Sequence, residues 1–170
     1  GDVQAAFLVV QHMPRGFTRS LAVRLDQNSE LRVKEAEDGE RVVAGTVYLA
    51  PGGYHLQIHQ CGKAGREIYL RLDTQAPVNG HRPSVDVMMH SAAELQGRRL
   101  VGVILTGMGH DGRSGTRMLK EKGAQIIAED KTTAVVYGMP KAVVEANLSD
   151  CVAPLQLIAQ KILGMLKAKE

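Results

Sequence analysis

Tryptophan is absent from the 170-residue chain, phenylalanine occurs twice, and all aromatics together make up 4% of it. So few rings leave little material for a single-stranded nucleic-acid platform, which depends on successive aromatic faces. Cysteine occurs only as Cys61 and Cys151, in no CxxC pair of the metal-binding kind. A chain of this size needs no disulfide, so a reducing, cytoplasmic setting is expected. Neither charge sign dominates: 21 Lys+Arg against 18 Asp+Glu leaves +3. That is too little for a polybasic arm or an acidic tail to be the main feature. No apolar run approaches the ~18 residues of a membrane span. The opening GDVQAAFLVV has no basic n-region and runs into QHMP rather than a small-residue cleavage site, so it is not a signal peptide. With 44% hydrophobic residues and six prolines, disorder is also excluded.

What is present is an alternation of strand and helix signals. Ala6 to Val10 (AFLVV) and Leu100 to Leu105 (LVGVIL) are continuous branched apolar runs, predicting strands buried on both faces. Phe17, Leu21 and Leu25 recur at helical spacing and predict the inward face of a helix over 16–26. Leu31 to Ala36 reads as a short strand, Glu35 to Glu40 as a solvated acidic turn, and Thr46 to Ala50 as a strand ended by Pro51-Gly52-Gly53. His55, Gln57 and His59 alternate with Leu56 and Ile58; after a polar turn at 61–66, Ile68, Leu70 and Leu72 do the same, predicting a hairpin. Pro83 suits a first helical turn, with Val85, Met88, Met89, Ala92 and Leu95 on the apolar side. A helix is expected from Gly112 through Leu119, a strand at 124–128, an extended stretch at 133–137, a short helix at 141–146, a short strand at Val152 and a closing helix over 155–166. The sum is an α/β domain: three layers, a mainly parallel sheet flanked by helices, and a β-hairpin extension.

In open α/β sheets ligands bind beyond the carboxyl ends of the strands. Two predicted strand ends carry chemistry: His12 after AFLVV, and Thr106-Gly107-Met108-Gly109-His110-Asp111-Gly112 after LVGVIL. Asp111 can orient the imidazole of His12, as a carboxylate does in a nucleophilic triad. The same glycines have a second use, aiming the Met108 N–H into a pocket as an oxyanion donor. Gly107, Gly109 and Gly112 also match G-x-G-x-x-G, with Glu129 about twenty positions on, as in a dinucleotide site. Against this, Asp111 would repel a pyrophosphate, and the helix that follows is short. No metal site is expected. His55 and His59 lie roughly 13 Å apart along a strand, too far for one ion. His12 with His110-Asp111 lacks the further ligands such a site needs. Arg98-Arg99 and the Lys-rich tail at 161–169 are expected to be solvated faces.

Several segments, in order, resemble one family. Gln11-His12-Met13-Pro14 with Gly16-Phe17-Thr18 resembles the QHMPxGFT segment of the chemotaxis protein-glutamate methylesterases. Lys34 to Glu40 resembles their KEAEDGE, Ala50-Pro51-Gly52 with His55 their APGxxH, and Arg82 to Asp86 their RPSVD. Ile104 to Gly112 resembles ILTGMGxDG, and Val136 to Pro140 resembles VFGMP.

The resemblance implies hydrolysis of glutamyl methyl esters on the cytoplasmic helices of methyl-accepting chemoreceptors, with glutamine deamidation as a second reaction. It implies a Ser-His-Asp triad with no cofactor and no metal. His12 would be general base and acid, Asp111 its orienting carboxylate, and Met108 an oxyanion donor. Apart from the resemblance, His81, Arg82 and Asp86 are expected to border a substrate channel, because they sit near a loop-to-helix transition. The family's nucleophile lies in a GxSTGG-like segment that these 170 residues lack, so the first β-α unit and its serine are expected to be outside the chain. Ser20, Ser29, Ser84, Ser91, Ser114 and Ser149 are the serines present. None is expected to be the nucleophile, and Ser84 is the least poor choice. On this reading residues 1–170 are a catalytic domain, incomplete at its N-terminus, without the phosphorylation-controlled receiver domain that usually precedes it. Nucleic-acid binding and membrane insertion are not expected. The competing readings are a receptor- or partner-binding fragment without catalysis, and the dinucleotide site.

Overall fold

A computed structural model of the chain describes residues 3–62 and 67–167. Its elements run β1 (Phe7–Val9), α1 (Phe17–Asp26), β2 (Arg32–Glu35), β3 (Thr46–Leu49), β4 (His55–Cys61), β5 (Glu67–Asp73), α2 (Val85–Ala93), β6 (Val101–Ile104), α3 (Arg113–Glu121), β7 (Gln125–Glu129), α4 (Met139–Glu145), β8 (Cys151–Ala153) and α5 (Leu155–Lys167). The strands form two parallel three-stranded sheets, ordered β1-β3-β2 and β6-β7-β8, with β4 and β5 as a separate antiparallel pair. In the first sheet Val47 of β3 stands between Phe7 and Val33; in the second Val101 opposes Gln125 and Ile104 opposes Ala128. This is the expected α/β class with helices flanking mainly parallel strands and a hairpin added. Part of the predicted turn at 61–66 and the end of the Lys-rich tail lie outside the described residues.

The main core joins Tyr48, Leu56, Leu70, Met88, Met89, Ile104, Leu119, Ile126 and Val143, so β3, the hairpin, α2, α3 and the second sheet share one apolar interior. Ile127, Ala153 and Ile158 form a smaller cluster beneath α5. Glycine permits two close approaches. A Cβ on Gly102 of β6 would lie 2.8 Å from Ile126 Cδ1, and one on Gly115 of α3 would lie 2.5 Å from Met89 Cβ. The second contact lets α3 lie directly against α2.

Several expectations need correcting. β1 and β6 are not buried on both faces. Phe7, Leu8 and Val9 are all half-buried, as are Val101 and Val103, and Leu105 is exposed. Among the described residues each of these strands has a partner on one side only. The helix over 16–26 forms, yet Thr18 and Ala22 are its buried residues, while Phe17 and Leu25 are exposed. The Thr18 hydroxyl is satisfied at 2.6 Å by Glu35 and at 3.0 Å by the Gly52 N–H. With small Ala22 beside it, this draws that face onto the sheet, about one residue's rotation from the apolar stripe. The acidic stretch is exposed at Glu37, Asp38 and Gly39, as expected of a turn, and is also tied down: Asp38 accepts from the Leu72 N–H at 2.8 Å and Glu40 from Lys34 at 2.7 Å. His55 is interior at 1% exposed instead of lying on a polar strand face. Pro83 precedes Ser84, the N-cap of α2, and follows Arg82 through a cis peptide, so it lies outside the helix. The 133–137 stretch is irregular; it is tied to β7 by the Thr133 hydroxyl on Glu129 at 3.0 Å and to the turn after β6 through a Gly107–Tyr137 bridge.

Candidate active site

His12 stands where the chain leaves β1 and turns into α1. Gly16, at φ 91°, caps that helix, and the Phe17 N–H reaches back to the Pro14 carbonyl at 3.3 Å. Pro51-Gly52 closes the turn from the other side; a Cβ on Gly52 would lie 2.5 Å from the Pro14 oxygen. The backbone carrying His12 is thereby wedged between α1 and the end of β3.

Asp111 lies in the turn after β6 and is fully buried. Its Oδ2 accepts from His12 Nε2 at 2.7 Å and from the Val85 N–H at 2.7 Å. Its Oδ1 accepts from the Ser84 hydroxyl at 2.8 Å, and from the Asp86 N–H and the Asn79 amide at 3.2 Å each. Three of these five donors belong to the amino end of α2, where unpaired N–H groups and the helix dipole favour an anion. Burial by itself would push the Asp111 carboxyl up. The hydrogen bonds from His12, Val85, Ser84 and Asp86 outweigh it and hold the group well below the usual carboxylate range. An ionised Asp111 can only accept, so His12 carries its proton on Nε2 and keeps its lone pair on Nδ1. Among the described residues nothing hydrogen-bonds to Nδ1. The pair expected from the sequence is therefore brought together with one nitrogen anchored and the other left to act as a base.

Met108 occupies the same turn, with its side chain 79% exposed and its N–H bonded to no protein group among the described residues. The turn is held by its neighbours. Gly107 N–H donates to the Val136 carbonyl at 3.0 Å, and the Gly107 carbonyl accepts from Gly138 at 3.1 Å and Met139 at 2.8 Å. The Thr106 N–H donates to Glu129 at 2.8 Å. A Cβ on Gly138 would meet Gly107 O at 2.6 Å and Gly109 N at 2.9 Å. Gly138→Ala is therefore expected to displace the Met108 turn and to cost about 1–3 kcal/mol, as overpacking does. Thermal unfolding checks the loss of several degrees that this implies.

His81 lies against His12, and Arg82 is half-buried with Nη1 on the Thr74 and Gln75 carbonyls at 2.8 and 2.9 Å. Asp86, expected to border a channel, lies instead beneath the surface, with its oxygens taken by the Asn79 amide at 2.8 Å and the Gly115 N–H at 2.7 Å. Ser84 is also interior, spending its hydroxyl on Asp111 and on capping α2. Ser91 bonds within α2 and to β4, Ser114 to His90, and Ser29 to Leu31. None of the six serines is bonded to His12.

The dinucleotide reading fails on the same geometry. Gly109 and Gly112 are spent on positive φ of 85° and 94°. A Cβ on Gly112 would strike Ile104 and Val85 at 2.8 and 2.9 Å, so no phosphate space lies there. Glu129 is buried, with its two oxygens on Thr106 and Thr133, and is not available to a ribose. Sequence reasoning missed Asn79, Thr18, Glu35 and Glu129 as supports. The one local signal was Pro-Ser-x-Asp at 83–86, an N-cap pattern that marked a helix start but not what that start would hold.

The family model of the CheB methylesterases matches residues 1–162. The chain belongs to the CheB methylesterase family. A protein-glutamate methylesterase/protein-glutamine glutaminase 1 of Syntrophomonas wolfei is 53% identical over 165 residues, covering 96% of this chain and 47% of that protein. A protein-glutamate methylesterase/protein-glutamine glutaminase of Thermotoga maritima is 49% identical over 162 residues, covering 95% of this chain and 46% of the relative. The chain thus spans about half the length of the curated relatives it matches. The crystal structure of the Thermotoga maritima CheB methylesterase catalytic domain superposes with a TM-score of 0.88 at 49% identity, covering 93% of this chain and 82% of that one. Fold and family are the ones the ordered motifs implied.

Proposed function

We propose that this chain carries the base, the orienting carboxylate and an oxyanion donor of a serine hydrolase that removes methyl esters from glutamyl side chains of chemoreceptors. The observation that carries the proposal is the His12–Asp111 pair, with Asp111 ionised, Nε2 anchored and Nδ1 open. A serine hydroxyl placed at Nδ1 would lose its proton there as its oxygen attacks the ester carbonyl. The carbonyl oxygen becomes the oxyanion that the Met108 N–H is free to receive. Collapse transfers the proton from Nδ1 to the leaving methoxide, giving methanol and an acyl-serine. Water then repeats the sequence, leaving glutamate and the free serine. With an amide in place of the ester, ammonia leaves, which is deamidation. Each attack makes His12 an imidazolium that Asp111 stabilises at 2.7 Å, and each collapse returns it to the neutral ring. The chemistry asks for no metal or cofactor.

In this reading the attacking hydroxyl comes from a serine other than the six in this chain, since none of them is hydrogen-bonded to His12. β1 and β6 lead to His12 and Asp111, and each has one unpaired edge among the described residues; a parallel strand seated on either edge would end at the same rim. A phosphorylation-controlled receiver domain fits the relatives' greater length. Among the described residues no helix is long and apolar enough to cross a membrane, and the substrate is the cytoplasmic part of a receptor.

The test is methanol release from methylated receptor by this 170-residue chain beside a version extended upstream of Gly1. Activity only in the extended form supports the proposal as a whole. Equal activity in the short chain overturns the account of the nucleophile. Receptor binding with no methanol from either form replaces the hydrolase with a binding fragment.

A further inference from the structure

His81 stacks face to face on His12, with ring centroids 3.8 Å apart and planes 8° from parallel. The turn that delivers it is tightly specified. Val78 and His81 exchange backbone hydrogen bonds of 3.0 and 2.9 Å around Asn79 at φ 53° and Gly80 at φ 78°, the two positive φ values a type I′ turn requires. The Asn79 amide is pinned to Asp86 at 2.8 Å and to Asp111 at 3.2 Å. On the other side the Arg82 carbonyl accepts from the Gly53 N–H at 3.1 Å, and its guanidinium is tied to Thr74 and Gln75. The chain is anchored on both sides of the ring, at Arg82 and, two residues before His81, at Asn79, which is bonded to the carboxylate that anchors His12.

We infer that His81 is a positioning residue for His12: it covers one face of the base, holds the ring plane in line with Asp111, and offers a π face to the imidazolium formed in turnover. The charged groups around the stack decide where a proton goes. Asp111, from the turn after β6, contacts His12 directly, and Asp86 of α2 is reached through Asn79. Arg82 turns Nη1 toward carbonyls. Two imidazolium rings at 3.8 Å would repel, so the stack disfavours charge on both rings at once. Burial first, and then the charge of His12, lower the pKa of His81 below the ordinary histidine value against the opposing pull of Asp111. A neutral ring in that position attracts a cation through its face and does not compete for the proton.

The kinetic half of this inference rests on the proposed esterase reading; the titration half does not. In the polypeptides compared for methanol release, His81→Ala is expected to lower kcat about 10- to 100-fold, as misplacement of a reacting group does, with KM nearly unchanged. His81→Phe, which keeps a flat face and cannot titrate, is expected to recover most of the loss. In ring-proton NMR the upfield ring-current shift of His12 is expected to vanish in His81→Ala and persist in His81→Phe. The His81 midpoint is expected to rise in His12→Gln, because a like charge leaves and Asp111 remains. A merely structural His81 would show none of this pattern. The inference is overturned if His81→Ala keeps wild-type kcat and pH profile, if His81→Phe is no better than alanine, or if the His81 midpoint ignores His12→Gln. If no form releases methanol, the esterase reading falls and the NMR results alone decide whether His81 positions His12.

Discussion

His12→Ala is expected to lower methanol release by about 10⁴-fold or more in the form that shows it, with little change in KM. The size follows from the number of steps the imidazole serves. In the proposed reaction it takes the nucleophile's proton, returns it to methoxide, and does the same for water, so its loss would leave only binding and oxyanion stabilisation. The fold should survive. Asp111 keeps four of its five donors, from Ser84, Val85, Asp86 and Asn79, and the alanine sits at a half-exposed strand end. The expected cost in stability is about 1.5–3 kcal/mol for one hydrogen bond to a charged group, read as a drop of several degrees in Tm. Activity and stability are thus predicted to separate by orders of magnitude. A variant that lost both together would mean that His12 holds the domain up and does not run its chemistry.

That separation was partly legible in the sequence. The strand ends were readable because branched apolar runs stop abruptly at polar residues, and the carboxyl-end rule then pointed to His12 and to the Thr106–Gly112 turn. Met108 was readable because a glycine-flanked turn exposes its N–H. The supports were not. Asn79, Ser84 and Asp86 lie far from Asp111 in the chain and join it only because α2 packs against α3, with Gly115 admitting Met89 closely. No local pattern encodes that approach. The face of α1 was misread for a related reason. The Phe17, Leu21, Leu25 stripe is the stronger apolar signal, but the buried Thr18 hydroxyl finds the half-buried Glu35 carboxylate, and one satisfied polar contact at 2.6 Å outweighs the rotation that the periodicity favours. His55 was misread because alternation along β4 marks it as outward. It is interior because its ring bridges the Ser84 N–H at 3.3 Å and the Ala76 carbonyl at 3.2 Å. Polar residues that organise a site look solvated until their partners are known.

Asp111→Asn should damage both properties that His12→Ala keeps apart. An asparagine amide has one acceptor oxygen and one donor nitrogen, while the cradle presents five donors and no acceptor. Whichever way the amide turns, its NH₂ faces N–H or O–H groups that cannot accept as they stand. The buried mismatch is expected to cost about 2–4 kcal/mol, about 5–15 °C in Tm. Catalysis suffers through the tautomer. Without the anion nothing holds the proton on Nε2, so Nδ1 is protonated in part of the population and the imidazolium loses its counter-charge. A fall of about 10³- to 10⁴-fold in kcat is expected, as for the equivalent change in a serine-protease triad. The stability of the wild type should also depend on acid in a definite direction. The folded pKa of Asp111 lies below its unfolded value, so its contribution is complete above about pH 4, the unfolded carboxylate range. It is lost as pH falls from there toward the depressed folded value. Denaturant unfolding of wild type and Asp111→Asn between pH 7 and pH 2 checks this. The two stabilities should converge as pH drops, and a constant gap would show that the Asp111 charge is not what holds the amino end of α2 in place.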